Sequence, residues 1–337
     1  MIHELKHIIQ QALLQQDLGH KSVLATVVHL EGSSYRKPGV RMLITENGQM
    51  TGAVSGGCVE KEILRRAASV FDSGKPKVMT YDGRYRLGCE GILYILIEPF
   101  FITEELSSAF HEYLTQRKPF HIASYYERKD EAMGTFGSVL QLGQKTYAFD
   151  TQYASKAMAD EQVFHQSFSP LFRLVIIGGE HDAVKLCTMA SLLGWEVDVI
   201  SSIRDPKTLK DFPGAKKVTA ENPELFTPRG IDEQTAVVIM THNYAQDLAY
   251  LLKLVSSEPC YLGILGSTKR RDRLQLEVFE HDSLTDEFLE QIHSPAGLNL
   301  GAETPEEIAL SILSEILSVT RQKEPYSLKN IRGKIHL

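Results

Sequence analysis

An α/β chain of two domains is predicted, a mixed α+β half followed by a doubly wound parallel-sheet half, and two patterns in the sequence predict it. In the first half, hairpin signals and short β-branched runs are interspersed with helical stretches. From residue 172 onward, apolar strands alternate with helix-spaced segments, which implies a parallel sheet with helices on its faces. The 337 residues exceed one typical core, and a hydrophobic content of 43% suffices to bury two.

Residues 3–16 carry apolar side chains at helical spacing and open the chain as a helix. Residues 23–30, rich in β-branched side chains, read as the first strand. Residues 41–45 and 50–54 flank Glu46-Asn47-Gly48-Gln49, where Asn-Gly marks a hairpin. A helix over 59–71 has Glu60 and Glu62 in its first turn, where carboxylates suit the helix dipole. Residues 93–98 form an apolar strand closed by Pro99, 103–116 return to helical spacing, and 120–126 and 137–142 suggest two more strands. The first domain spans 1–155. The apolar pattern then fades, which marks 156–170 as a linker. The second domain, 171–322, has strands at 173–177, 196–200, 236–240 and 261–265 and helices at 183–193, 245–255 and 271–279. Its final helix begins at Thr304-Pro305-Glu306-Glu307, a capping box with proline at the first helical position. The tail, 323–337, has no periodicity and is expected to be mobile or partner-facing.

A formal charge of -7, from 36 basic and 43 acidic residues, argues against a general nucleic-acid binder. No run of about 18 apolar residues occurs, so no membrane span is expected and the chain reads as soluble and cytoplasmic. The cysteines at 58, 89, 187 and 260 form no CxxC pair, which supports neither structural zinc nor an iron–sulfur cluster.

The densest candidate site is EGSSYRKPGVRMLITENGQMTGAVSGGCVE, residues 31–60. Glycines let a backbone approach a ligand closely, and Arg36, Lys37 and Arg41 can meet anionic oxygens by charge-assisted hydrogen bonds. Ser33 and Ser34 join them in the first turn, and Gly56 and Gly57 form the second. Cys58 follows those glycines at a helix N-terminus, where aligned N–H groups lower a thiol pKa. Cys89 lies in another glycine turn, Leu87-Gly88-Cys89-Glu90-Gly91. For both thiols the alternative is a small buried hydrophobe. Cys187 and Cys260 read as core residues.

GSSYRKPGVRM, the following GAVSGGCVE and LGCEG at 87–91 resemble the XdhC/CoxI family, with Tyr35 where the family pattern has Pro and Glu90 where it has Gly. The likeness continues through THNYAQDLAYL, YLGILGSTKRRDRL and IHSPAGLNLGAETPEEIALSILSEIL, in the same order, over most of the chain. The resemblance implies an accessory protein of molybdenum hydroxylases rather than a complete xanthine dehydrogenase. Such a protein binds molybdenum cofactor (molybdopterin) transiently, supports its sulfuration with a cysteine desulfurase-type sulfur donor, and inserts it into a xanthine dehydrogenase-like apoenzyme. On this reading the basic residues hold the anionic end of the cofactor, and thiolates of Cys58 and Cys89 touch molybdenum or its sulfur. A homodimer is expected, as for most soluble oligomers.

LVIIGGEHDAVKLCTMASLLGWEVDVI has the outline of a Rossmann opening, a strand, a glycine turn and a helix leading to a second strand. Glu180 stands where the fingerprint has Gly, and with Asp182 it would repel a diphosphate. The second strand ends in Ser201 and Ser202 instead of an acid for a ribose. NAD(P) is therefore not expected to bind. An NAD(P)-linked oxidoreductase, with Arg204 at a ribose phosphate, is the alternative. At other strand ends lie His242 and Asn243, and Ser267 ahead of Lys269, Arg270, Arg271 and Arg273. Cations in a first helical turn oppose the macrodipole unless an anion is bound, which makes these candidate cofactor contacts. The alternatives are a backbone-bonded histidine and a solvated basic face paired with Asp272 and Glu277.

Overall fold

The computed structural model describes residues 2–32, 34, 37–85, 91–150, 152, 162–279 and 286–331. The chain divides into two compact units, Met1–Pro170 and Leu171–Leu337.

The first unit runs α1 (Ile2–Asp17), β1 (Ser22–Glu31), β2 (Arg41–Thr45), β3 (Met50–Gly52), α2 (Cys58–Ser73), β4 (Lys77–Asp82), β5 (Ile92–Pro99) and α3 (Glu104–Thr115). It continues with β6 (Phe120–Tyr126), β7 (Gly137–Leu142), β8 (Lys145–Ala148) and β9 (Gln162–Phe168). Two antiparallel sheets result, β3-β2-β1-β5-β4 and β8-β7-β6-β9. On one face of the first sheet, α2 packs Val59, Ile63, Ala67 and Val70, a helical stripe, against Val23, Ala25, Met42 and Ile95. Its other face meets α1, α3 and the second sheet through Leu24, Leu43, Phe110, Phe120 and Phe168. The Asn-Gly hairpin forms with Gly48 at φ 83°, a conformation that favours glycine.

One expectation is corrected here. Residues 156–170 read as a linker, yet Gln162–Phe168 is a strand paired with β6 along its whole length. Its inward positions are Phe164, half-buried, and Gln166 and Phe168, both buried. The polar Gln166 on the inward face and the apolar Val163 on the exposed one blur the hydrophobic period of QVFHQSF.

The second unit runs β10 (Arg173–Ile177), α4 (His181–Leu192), β11 (Glu196–Ser202), β12 (Lys217–Glu221), β13 (Thr235–Ile239), α5 (Tyr244–Leu254), β14 (Tyr261–Ile264), α6 (Thr268–Phe279), α7 (Asp286–Glu290), β15 (Ile292–His293) and α8 (Pro305–Arg321). All six strands are parallel, in the order β12-β11-β10-β13-β14-β15. This is the doubly wound arrangement, with strand order reversing between β10 and β13. α4 and α8 cover Leu174, Ile176, Val197 and Val238 on one face. α5 and α6 cover Val175, Ile177, Val237 and Ile239 on the other. Cys187 is fully buried in the first of these layers, and burial pushes its thiol up to about 11, as it does that of Cys260. The capping box of α8 is formed as expected: Thr304 Oγ1 accepts from Glu307 N–H at 3.3 Å, and Glu307 accepts from Thr304 N–H at 3.0 Å. Among the described residues no helix is long and apolar enough to cross a membrane.

Candidate functional site

Of the residues singled out between 31 and 90, Ser33, Arg36 and Cys89 lie outside the described residues, as does the side chain of Cys58. Ser34 is half-buried and Lys37 exposed. The backbone of Cys58 opens α2, directly after an exposed Gly56-Gly57 turn. Gly57 requires its residue type, because its φ is 116°. Gly56 does not require it: its φ is ordinary, and a Cβ there would meet nothing within 4 Å. That free space lies on the open side of the turn.

Glu60 organises this turn, a role larger than the first-turn carboxylate the sequence suggests. It is 7% exposed and accepts from the N–H groups of Val54 (3.0 Å), Ser55 and Gly57 (2.7 Å), and from Ser55 Oγ at 3.1 Å. Burial pushes the Glu60 carboxyl up. The hydrogen bonds from Ser55, its own N–H and Gly57 outweigh it and hold the group below the usual carboxylate range. A fixed anion thus clamps the loop before Cys58 from beneath. The sequence signal was Glu at the third helical position after a Gly N-cap.

Arg41 stands elsewhere than the sequence suggests. It is only 6% exposed, on the β2 face that meets the second sheet, alongside Leu43 and in register with Thr26. Nη1 donates to Gly39 O at 3.0 Å and to Gln166 Oε1, and the guanidinium lies 5.8 Å from the Phe168 ring centre. Burial lowers its pKa to about 10, with Glu98 opposing that shift. Glu98 is fully buried, and burial pushes it up to about 7 against two hydrogen bonds from Ser138 and the charge of Arg41. Arg41 therefore belongs to a polar layer between two sheets, because β2 is covered on both faces.

In the second unit, the crevice at the carboxyl ends of β10, β11 and β13 has a volume of about 220 Å³. Gly178 permits close approach of the turn to β13: a Cβ there would lie 2.4 Å from Met240 O. Glu180 is the N-cap of α4 but its side chain makes no capping bond, and it lines the crevice with Gly179, Ser202 and Asp205. Lys207, the cation beside Gly179, pairs with Asp205 at 2.5 Å. Ser201 is buried, donates to Thr219 O and accepts from Lys207 N–H, each at 3.1 Å. An acid does stand near the second strand end, Asp205, three residues after Ser202, where it pairs with Lys207.

The remaining candidates carry structural duties. Asn243 caps α5 by accepting from Gln246 N–H at 3.1 Å, and Ser267 Oγ accepts from Arg270 N–H at 3.3 Å. Arg270 pairs with Asp247, whose side chain is 0% exposed and accepts from Thr241 N–H at 3.2 Å and from its hydroxyl at 2.5 Å. Arg271 and Arg273 pair with Asp272 (2.8 Å) and Glu277 (3.1 Å). The solvated-face alternative describes these two, while Arg270 is tied to a carboxylate the sequence reading missed. The signal was present: Asp247 heads the 247-250-251-254 stripe that α5 buries, a polar residue in an apolar period. His242 has φ 56°, uncommon for a non-glycine, and its Nε2 lies 3.4 Å from Asp182 Oδ2. Among the described residues no group of three or more His, Cys, Asp or Glu is arranged to hold a metal ion.

Comparison with known proteins gives a consistent picture. Residues 16–82 match the XdhC and CoxI family, and residues 174–316 match the XdhC Rossmann domain. The chain is 30% identical to a Bacillus subtilis (strain 168) protein described as a probable xanthine dehydrogenase subunit, over 94% of this chain and 98% of that protein. It is 25% identical to the molybdenum cofactor insertion chaperone PaoD of Escherichia coli (strain K12), over 91% of this chain and 86% of that one. A crystal structure described as a xanthine dehydrogenase from Bacillus halodurans aligns with a TM-score of 0.75 at 27% identity, covering 94% of this chain and 96% of its own. With a near-full-length relative at this identity and both characteristic domains matched, the chain belongs to the XdhC and CoxI family.

Proposed function

We propose that this protein is a cytoplasmic accessory factor that binds molybdenum cofactor as cargo and inserts it into a xanthine dehydrogenase-like enzyme. The observation that carries the reading is the open Gly56-Gly57 turn, clamped by Glu60 and leading into Cys58 at the start of α2. Near-full-length similarity to an insertion chaperone supports it. The cargo has an anionic end and a soft metal centre. Exposed Lys37, with Ser34 nearby in sequence, suits the first, and a thiolate at a helix N-terminus suits the second. Arg41 supports the sheet beneath instead of touching the cargo. Sulfuration with a cysteine desulfurase-type donor and assembly as a homodimer complete the proposal, on the strength of the family resemblance.

A Cys58→Ala, Lys37→Ala double variant is expected to retain less than about a tenth of the cofactor bound by the unaltered chain, a loss of roughly 1.4 kcal/mol or more. Pterin fluorescence of the protein fraction after desalting measures it. Equal retention would remove the turn from the site.

A nicotinamide role is not part of the proposal. Glu180 and Asp205 line the crevice, Lys207 is already paired, and Ser201 is satisfied within the fold. Calorimetry should therefore find no NADH binding tighter than about 0.1 mM, roughly -5.5 kcal/mol. Micromolar binding would favour an oxidoreductase.

A further inference from the structure

Parallel strands need a crossover, usually a helix, yet the connection from β12 to β13 (222–234) contains none. On the sheet face that α5 and α6 cover, the loop bearing Phe226 and Ile231 lies over the β10-β11-β12 part, and a cavity of about 290 Å³ remains there. Val175 and Ile200 form its floor. Leu225, 80% exposed, stands at its rim beside Phe226.

The polar end of the cavity is incompletely paired. Asp198 is 24% exposed, and its nearest cation is Arg173 at 3.8 Å, beyond hydrogen-bond distance. Among the described residues its carboxylate accepts no hydrogen bond. Burial pushes the group up, with Arg173 and Lys217 opposing. Lys217 sits next to it in the β11–β12 register, and Arg229 lies on the loop. Neither cation forms an ion pair among the described residues. A half-buried carboxylate to which no described side chain donates is an acceptor that a cationic N–H donor can satisfy.

We propose that this cavity binds a free α-amino acid with an apolar side chain. Its ammonium donates to Asp198, its carboxylate accepts from Lys217 and Arg229, and its side chain lies against Leu225, Phe226 and Ile231. A plain carboxylate would leave Asp198 without a donor, and a plain amine would leave both cations unpaired. The volume suits a ligand of this size and falls short of most pockets for larger ones, which span about 300–1,000 Å³. The inference is independent of the cofactor role.

Titration calorimetry of the full chain with L-leucine, L-methionine and L-phenylalanine tests it, with isocaproate and isoamylamine as leucine analogues lacking one charge. At least one amino acid should saturate below about 10 mM, with both analogues weaker by about tenfold or more. Asp198→Asn and the exposed-site variant Arg229→Ala should each weaken binding by about tenfold. Absence of saturable binding by all three amino acids, equal binding of either analogue, or undiminished binding in the two variants would overturn the proposal.

Discussion

Arg41→Ala is expected to lower the stability of the protein by about 3 kcal/mol or more, because it removes one partner of a buried charged layer. The substitution strips Gly39 O and Gln166 Oε1 of a donor, takes the cation away from fully buried Glu98, and opens a void beside Phe168. Arg41→Met should recover only the packing part of that loss. It fills similar volume, and the Nε and Nη2 groups it removes have no hydrogen-bond partner among the described residues, but Gly39 O, Gln166 and Glu98 lose the same partner as in the alanine variant. Urea unfolding of both variants makes the comparison. An Ala variant with an unchanged midpoint would return Arg41 to the surface role that its place in the sequence suggests.

A second large effect is expected at Arg270. With alanine there, Asp247 keeps only the Thr241 donors while its side chain remains completely buried. A loss of about 3 kcal/mol at neutral pH follows from an unpaired buried carboxylate. The loss should depend on pH. Burial already raises the Asp247 pKa, against the hydrogen bonds of Thr241 and the charge of Arg270, and removing Arg270 raises it further. A carboxyl raised above its unfolded value destabilises the fold as pH climbs from the unfolded value through the folded one. The variant should thus approach the unaltered protein in stability under acidic conditions and diverge toward neutrality. Chemical denaturation at a series of pH values reads this directly, and a pH-independent loss would mean that Asp247 is not the group left exposed to the defect.

The second unit was legible because its signals are local and repeated. β10, β11, β13 and β14 are short apolar runs, and a parallel sheet follows from their alternation with helix-spaced segments, whereas β12 (KVTAE) and the two-residue β15 carry too little apolar period to be read, and the strand order rests on packing. The capping box at Thr304 was legible for the same reason, since three residues suffice to define it. In the first unit, by contrast, β9 was invisible because its inward residue Gln166 is polar, and that residue accepts a bond from Arg41 across to β2. Arg41 itself shows the limit for sites. A cation beside a glycine-rich turn has the same sequence signature whether it faces a ligand or a second sheet, and only long-range strand packing decides. Asp247 was readable as an anomaly in the α5 stripe, whereas its partner Arg270 was hidden among four cations of which two others face Asp272 and Glu277. The family, carried by contiguous motifs, needed no such packing.

The central claim, that the chain carries molybdenum cofactor, is tested most directly by mixing the full-length protein with cofactor released from another molybdoenzyme and separating the mixture by gel filtration. Pterin fluorescence after oxidation and molybdenum content are then measured in the protein peak. The account predicts that pterin and molybdenum co-elute with the protein in equal, near-stoichiometric amounts, and that a Cys58→Ala, Lys37→Ala variant carries little of either. Elution of all pterin and molybdenum with the small molecules, under conditions where the protein remains folded, would contradict it.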